Sequence, residues 1–343
     1  MQGMPLVLAC LLLLSGCAEA PVKAISTPVI LISDQSDSDI WLPETEKEAG
    51  FDKELDEETI VETDPFIAIE RQVYPDLPDR LRVERIANLP DEVNESSGLA
   101  MRKGRLWTHN DSGHDAILYE LSESGDKVLR RVHPLNSVNE DWEALAQDDQ
   151  TLYIADCGNN LGDRIWMQIY KVAWQDLDQS RDQGVVPSER LSVRLADTRP
   201  ERNRHAHNND CEALTVVGDE LWLFTKNWQD HNTRLYRINK EAPVQQLVTS
   251  GEFPARGLIT GADFDPASQR LALIGYRLGF MNVSAFIWIV PVVDNAPDWD
   301  QASYHSINPV GQWEAILWHE GNLLVSRESS VLGRAQLGRI VLP

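Results

Sequence analysis

Asp141-Trp142-Glu143-Ala144-Leu145 is the stretch of sequence that decides the fold, because versions of it recur along the chain. A close copy begins at Asp210, and a third, with one acid lost, begins at Gln312. Two weaker copies begin at Glu95 and Thr260. Five related pentapeptides in one chain indicate a structural unit that is used five times.

A second apolar run follows every copy at one fixed spacing. It begins seven residues after the last apolar position of the motif, as in the pairs Leu99 and Leu106, Leu145 and Leu152, Leu214 and Leu221, Phe264 and Leu271, and Ile316 and Leu323. Short strands that repeat with a period of roughly 45 to 70 residues are typical of a β-propeller. The sequence therefore predicts an all-β fold, a five-bladed β-propeller.

Each blade is predicted to contain four strands, A to D, with the motif on the innermost strand A. Strand D is predicted at residues 128–133, 191–195, 245–248 and 304–307. The last repeat has no strand D, whereas residues 81–86 alternate as a strand does. We expect this N-terminal strand to pair in the last blade and close the ring, because open sheet edges promote aggregation. A six-bladed alternative would need a unit hidden in residues 174–210, a polar stretch that we interpret as an insertion.

The N-terminal sequence predicts a membrane anchor. Residues 1–16 contain an apolar run that is too short to span a bilayer and is typical of a signal peptide. Leu14-Ser15-Gly16-Cys17 resembles a bacterial lipobox, which implies a palmitoylated lipoprotein anchored through Cys17. We expect localisation at the bacterial outer membrane, facing the periplasm or the cell surface. An ordinary cleaved signal peptide is the alternative.

The charge of the chain limits its partners. The formal net charge is −23, and much of it lies in residues 17–65, which we interpret as an acidic, disordered tether before a propeller domain at residues 66–343. An acidic chain excludes nucleic acid as the expected partner, because phosphates require a basic surface. A monomer that binds a small anionic ligand or an envelope protein is predicted.

The third residue of each motif copy is the main functional signal. These residues are Ser97, Glu143, Glu212, Ala262 and Glu314, and strand A would direct them into one axial channel. Three neighbouring carboxylates require a compensating cation or hydrogen-bond donors. Oxygen ligands favour Ca²⁺ first and Mg²⁺ second, which predicts a metal site at Ser97, Glu143, Glu212 and Glu314. Pairing of these acids with backbone N–H groups or arginines is the alternative.

This order of residues resembles the calcium-activated nucleotidases, or apyrases. In that family a five-bladed propeller holds an axial Ca²⁺ with Ser and Glu residues, one from each blade. Glu95-Ser96-Ser97-Gly98-Leu99 and Glu314-Ala315-Ile316 are similar to its first and last blades. Two departures are Ala262, where the family has an oxygen ligand, and the lack of a clear match to its phosphate-binding basic cluster. The chain is also similar to uncharacterised bacterial propeller lipoproteins that carry Asn-Asp-Ser-Gly and Asp-Trp-Glu motifs.

The ends of the second strands should meet around one mouth of the channel. We predict that Asp111, Asp156, Lys226 and Arg327 act there as catalytic residues that bind a substrate and position water. Further pocket residues are predicted to be His109, Asn110, Tyr276, Arg277 and Glu328.

Two cysteines, Cys157 and Cys211, remain after removal of the signal peptide and lipidation of Cys17. An even number in an oxidising compartment predicts a disulfide between adjacent blades, and a reactive thiol pair is the alternative.

The predicted function is binding or metal-dependent hydrolysis of a small phosphate-ester-like ligand. The alternative is a non-catalytic scaffold in which the cation is structural.

Overall fold

A computed structural model describes residues 77–279 and 283–342 of the chain. The predicted signal peptide, Cys17 and the predicted tether lie outside the described residues, so these remain predictions. No helix within the described ranges has the length and apolarity that crossing a membrane requires.

The described chain is almost entirely β-structure. One short helix, α1, covers Trp174–Gln179, and a 3₁₀ turn covers Trp299–Gln301. The strands are β1 (Arg80–Arg82), β2 (Glu84–Asn88), β3 (Ser96–Arg102), β4 (Arg105–Asn110), β5 (Leu118–Leu121), β6 (Val128–Pro134), β7 (Trp142–Gln147), β8 (Thr151–Asp156), β9 (Met167–Ala173), β10 (Gly184–Val186), β11 (Glu189–Leu195), β12 (Asp210–Val217), β13 (Glu220–Lys226), β14 (Thr233–Asn239), β15 (Val244–Leu247), β16 (Gly251–Phe253), β17 (Leu258–Asp265), β18 (Arg270–Leu278), β19 (Val283–Val293), β20 (Ala296–Pro297), β21 (Ser303–Asn308), β22 (Trp313–His319), β23 (Asn322–Arg327) and β24 (Gln336–Ile340).

These strands form five sheets, which are the five blades of a β-propeller. The innermost strands are β3, β7, β12, β17 and β22, and each contacts the next around a closed ring. Every innermost strand carries one copy of the repeated motif, and the blades are numbered 1 to 5 in the order of these strands. The five-bladed prediction is confirmed, and the six-bladed alternative is wrong because residues 174–209 supply one short helix, outer strands and loops but no innermost strand.

The N-terminal segment closes the ring, as predicted, but it divides between two blades. β2 pairs antiparallel with β24 in blade 5 and provides its outermost strand. β1 instead pairs parallel with β21 and extends blade 4. Val83, between these strands, is buried and donates its backbone N–H to Asn308 O at 2.8 Å.

One predicted outer strand belongs to a different blade. Residues 245–248 were expected to be strand D of blade 3, but β15 pairs parallel with β11 at the edge of blade 2. The outermost strand of blade 3 is β16, which pairs with β14. Residues 245–248 form a short segment with two polar and two apolar residues, so their sequence does not determine which neighbour they join. The insertion makes a similar link, since β10 pairs parallel with β6 in blade 1.

The core lies between the blades. Five clusters of buried apolar side chains each join two neighbouring blades around the ring. Trp142 and Trp313, from two motif copies, are fully buried in these layers. Their indole N–H groups donate to Val138 O at 2.8 Å and Pro309 O at 3.0 Å. The layers therefore fix the orientation of the innermost strands, which carry the candidate site.

Candidate functional site at the axial mouth

Every innermost strand has a β-bulge at the same point of its motif. A bulge leaves one residue unpaired and redirects its side chain. The bulged residues are Ser97, Glu143, Glu212, Thr260 and Glu314. All five are less than 8% exposed. We call them the first ring, and they are the equivalent positions of the five blades.

The register of blade 4 corrects one sequence expectation. Ala262 was expected on the ring, but it pairs normally with Leu273, whereas Thr260 lies at the bulge. The motif copy in blade 4 is thus displaced by two residues. The Thr260 hydroxyl donates to Trp313 O at 2.8 Å, across to the next blade.

A second ring follows from the same register. The residue before each bulge pairs with a residue near the end of the second strand, as Trp142 does with Asp156 and Cys211 with Thr225. The position that follows in each blade is occupied by Asp111, Cys157, Lys226, Tyr276 and Glu328. Two residues before each bulge, the motif copies begin with Glu95, Asp141, Asp210, Leu258 and Gln312. We call these three sets together the axial mouth.

Three carboxylates of the axial mouth form a compact group. Asp111, Asp141 and Glu143 each place one oxygen within 4.8 Å of the others. Asp111 comes from blade 1. Asp141 and Glu143 come from blade 2, where Asp141 begins the motif and Glu143 lies in the first ring. This spacing allows three oxygens to contact one cation.

Gly158 lies directly against this group. A Cβ atom built on Gly158 would lie within 3.0 Å of Glu143 Oε1 and of Asp141 Oδ2, closer than real Cβ atoms approach. Any larger residue at position 158 would therefore force the two carboxylates to move. The backbone N–H groups of Cys157 and Gly158 donate to Asp141 O at 3.0 and 3.1 Å, which holds the loop in place.

Burial makes ionisation of the group unfavourable. Desolvation, followed by the charges of Asp111 and Asp210, raises the pKa of Asp141 to about 8. Desolvation also raises the pKa of Glu143 well above its ordinary value, and Asp111, Glu212 and Asp141 add to this effect. The pKa of Asp111 is raised by the same cause. A bound cation would offset both desolvation and repulsion.

Lys226 lies in the second ring of blade 3, the neighbour of blade 2. Its ammonium group is buried and contacts Glu212 Oε1 at 3.0 Å. It lies 5.0 Å from the ring centroid of Trp228 and 5.7 Å from that of Tyr276. Desolvation alone would lower the pKa of Lys226, but Glu212 and the other surrounding charges outweigh it and raise that pKa. Lys226 thus neutralises the Glu212 carboxylate of blade 3.

Other predicted site residues have structural partners. Asp156 accepts hydrogen bonds from Asp141 N at 3.0 Å and Arg164 Nη2 at 2.9 Å. Asn110 accepts a hydrogen bond from Glu95 N, the equivalent contact in blade 1. Both side chains therefore support the turn before a first-ring residue.

The two predicted arginines lie on the blades. Arg327 donates to the carbonyl oxygens of Val310 and Arg334 and stacks on Trp313. Arg277 donates to Arg256 O and stacks on Tyr304. Among the predicted basic residues Lys226, Arg277 and Arg327, Lys226 is the one whose side chain contacts a first-ring residue, Glu212.

The remaining predicted residues lie near the junction of blades 5, 1 and 2. Ser97 donates to Glu95 O at 3.1 Å and lies 3.5 Å from Glu328 Oε1. Desolvation raises the pKa of Glu328, and that of Glu314 rises to about 7 for the same leading cause. His109 is fully buried against Trp142, and desolvation lowers its pKa to about 4. His109 is therefore a neutral packing residue near pH 7.

The predicted disulfide is confirmed. Cys157 and Cys211 are bonded, with their Cα atoms 5.4 Å apart. The bond connects the second ring of blade 2 to the residue that precedes Glu212 in the first ring of blade 3. Both cysteines are fully buried, so the alternative of a reactive thiol pair is not supported.

Sequence reasoning missed Asp141, Asp210 and Gly158. The first two occupy the same place in their motif copies, and this shared acid was a signal that could have been used. Gly158 carried no comparable signal, since its role depends on the approach of two side chains from another strand.

No protein-family description and no curated protein sequence matches the chain. Solved structures are similar in fold only. An exo-β-1,3-galactanase from Phanerochaete chrysosporium is 11% identical, with a TM-score of 0.47 over 75% of this chain and 63% of that one. A putative oxidoreductase (glucose dehydrogenase) from Thermus thermophilus is 10% identical, with a TM-score of 0.44 over 76% of this chain and 100% of that one. U3-55K is 12% identical, with a TM-score of 0.35 over 72% and 68%. Similarity at this level carries no functional argument.

Proposed function

We propose that this protein is a β-propeller that binds one divalent cation, Ca²⁺ in preference to Mg²⁺, at the axial mouth. The single observation that carries the proposal is the group formed by Asp111, Asp141 and Glu143 against Gly158. Three carboxylates at this spacing have too little compensation from hydrogen bonds or basic side chains to remain ionised together. A flexible set of oxygen ligands completed by water suits Ca²⁺ better than Mg²⁺, which demands near-ideal octahedral geometry.

This proposal moves the cation toward blade 2, compared with the ring expected from the sequence. Glu143 belongs to both ligand sets. Glu212 is already paired with Lys226, and Ser97 donates its hydroxyl to Glu95 O. Of the two ligand sets, the surrounding charges therefore favour Asp111, Asp141 and Glu143 as the Ca²⁺ ligands.

Calcium titration by calorimetry, on protein first treated with EDTA, tests the proposal. We expect one bound Ca²⁺ per chain, with binding weakened about 100-fold by Glu143→Gln because one charged ligand is lost. Gly158→Ala should weaken binding as well, because its methyl group would displace both carboxylates. Glu123→Gln, an exposed change away from the axial mouth, is the matched control and should leave binding unchanged. Equal affinity in Glu143→Gln, or no heat at millimolar Ca²⁺, would refute the site.

The proposed cation also bears on catalysis. Lys226 is paired with Glu212, and Arg277 and Arg327 donate to backbone carbonyl oxygens, so an anion at the axial mouth would bind mainly to the cation. Hydrolysis of a phosphate ester would then depend strictly on metal. The engagement of these basic residues favours the non-catalytic alternative, in which the cation stabilises the ring and the mouth face contacts an envelope protein.

We also propose that the chain is a lipoprotein anchored at the outer membrane through Cys17. The support is the lipobox in the sequence. Labelling of cells with a palmitate analogue should mark the wild-type protein and not Cys17→Ser. Equal labelling of both would exclude this anchor.

A further inference from the structure

Blade 2 carries a second candidate site, separate from the axial mouth. It is a surface cavity of about 290 Å³ between the start of β9 and the end of β11. Its lining consists of Arg164, Ile165, Met167, Arg194, Leu195, Ala196, Thr198, Pro200 and Asn209. This volume is close to the lower end of the range for small-molecule sites.

The charge of the cavity is opposite to that of the protein. The chain as a whole has a formal net charge of −23. Two arginines line the cavity, and none of the residues that line it is acidic. A basic concavity in an acidic protein concentrates anions locally and disfavours cations.

Arg164 forms one wall, and its guanidinium is ion-paired with Asp156 at 2.9 Å and with Glu140 at 3.2 Å. Its guanidinium donates to Asp156 Oδ1 at 2.9 Å, to Gly158 O at 3.2 Å and to Trp166 O at 3.2 Å. These bonds hold the side chain in one orientation. Arg164 therefore contributes shape to the cavity, while its charge is compensated by these two carboxylates and the positive charge available to a ligand comes from Arg194.

Arg194 provides the unsatisfied donor. Its Nε–H is buried and has no hydrogen-bond acceptor, although its Nη2 group donates to Gln246 Oε1. The guanidinium lies 5.6 Å from the ring centroid of Trp166, which restrains its plane. No carboxylate in residues 77–279 and 283–342 forms an ion pair with Arg194. A buried donor without an acceptor is costly, and an anion supplied from solution would satisfy it.

The rest of the cavity is apolar. Met167 and Leu195 are buried at its floor, and Ile165 is 52% exposed at its edge. Thr198 and Asn209 add neutral polar groups. An apolar wall beside a guanidinium suits a ligand that has a charged end and a short apolar body.

We propose that this cavity binds a small organic anion, with its carboxylate or phosphate on Arg194 and its apolar body against Met167 and Leu195. The sequence also predicted an anionic ligand, at a different place that includes Arg277 and Arg327, which lie on other blades. Binding here needs no metal. The inference is therefore independent of the proposed calcium site.

Calorimetry on the full chain with benzoate as the probe tests this inference. We expect millimolar binding, at least tenfold stronger than that of benzyl alcohol, which has the same ring and no charge. Arg194→Gln should weaken benzoate at least tenfold. Arg234→Gln, which removes an arginine on the outer part of blade 3, is the matched control and should bind as wild type does. Excess EDTA should leave the result unchanged.

Three results would overturn the proposal. They are equal binding of benzoate and benzyl alcohol, equal binding of benzoate by Arg194→Gln and wild type, and no heat at 10-fold the expected concentration range. Circular dichroism melts of both variants establish that they are folded. If Arg194→Gln does not fold, Arg194→Lys replaces it in the test. This change keeps the positive charge but removes the planar guanidinium with its paired N–H donors, so benzoate binding should weaken.

Discussion

Blades 2 and 3 carry the same motif at the axial mouth, yet they compensate their buried acids in different ways. Blade 3 has Lys226 in the second ring, and its ammonium group pairs with Glu212 at 3.0 Å. Blade 2 has Cys157 at the equivalent position, which is bonded to Cys211. Glu143 is therefore left with Asp111 and Asp141 as its neighbours. One blade has an internal cation, and the other requires an external one.

The difference shows that a repeated motif does not fix the ionisation of its acid. Glu143 and Glu212 lie on the same kind of bulge and are almost equally buried, at 5% and 2% exposed. What separates the two acids is the second-ring residue of their blade, Cys157 in blade 2 and Lys226 in blade 3. The ionisation of an acid at a propeller axis therefore depends on residues from both inner strands of its blade.

The largest expected effect comes from removing the internal cation. Lys226→Met should destabilise the protein by about 3–5 kcal/mol, because Glu212 would be left buried without a partner. Urea unfolding monitored by circular dichroism measures it. Lys127→Met, at an exposed lysine, is the matched control and should change the stability little. The double variant Lys226→Met/Glu212→Gln should recover much of the loss. If Lys226→Met is no worse than the control, the two sides of the mouth do not differ as described.

A smaller effect is expected from pH on the blade 2 side. The pKa of Asp141 is about 8 in the folded protein and lower in the unfolded chain, so between these values the folded state holds a proton that the unfolded state lacks. The free energy of unfolding of EDTA-treated protein should therefore fall as the pH rises from 5.5 to 8.5, by on the order of 2 kcal/mol. Glu314, whose pKa is about 7, adds to the same trend.

Urea unfolding at the two pH values measures this decrease. Asp141→Asn should reduce the slope, because the amide does not titrate, and added Ca²⁺ should restore stability at pH 8.5 in the wild type only. A stability that rises with pH in the EDTA-treated wild type would contradict the unpaired state of the blade 2 acids.

The fold was predictable because its signals are local and repeated. The motif and the seven-residue spacing located the two inner strands of each blade, and residues 81–86 were expected to close the ring. The errors lie at the outer edges. β15 joins blade 2 instead of blade 3, because an outer strand with few buried side chains has little in its own sequence to select a neighbour.

The candidate site was predictable in part. Glu143, Asp111 and Lys226 were named from the sequence and lie at the axial mouth. Asp141 and Gly158 were not named. The ring position of blade 4 was predicted at Ala262 instead of Thr260. The turn between β17 and β18 spans four residues, whereas the corresponding turn of blade 1 spans two, so a fixed spacing from the second strand gives the wrong position.

The sequence by itself determined the number of blades, the innermost strands and the acids that reach the axis, because period-two apolar patterning and turn residues act within a few residues of each other. Only the tertiary structure decided which acids lack a partner. That outcome depends on distances between side chains from different blades, such as Lys226 to Glu212 within blade 3 and Asp111 to Glu143 across blades 1 and 2. Such distances are set by the packing of the blades against one another, which no single repeat encodes.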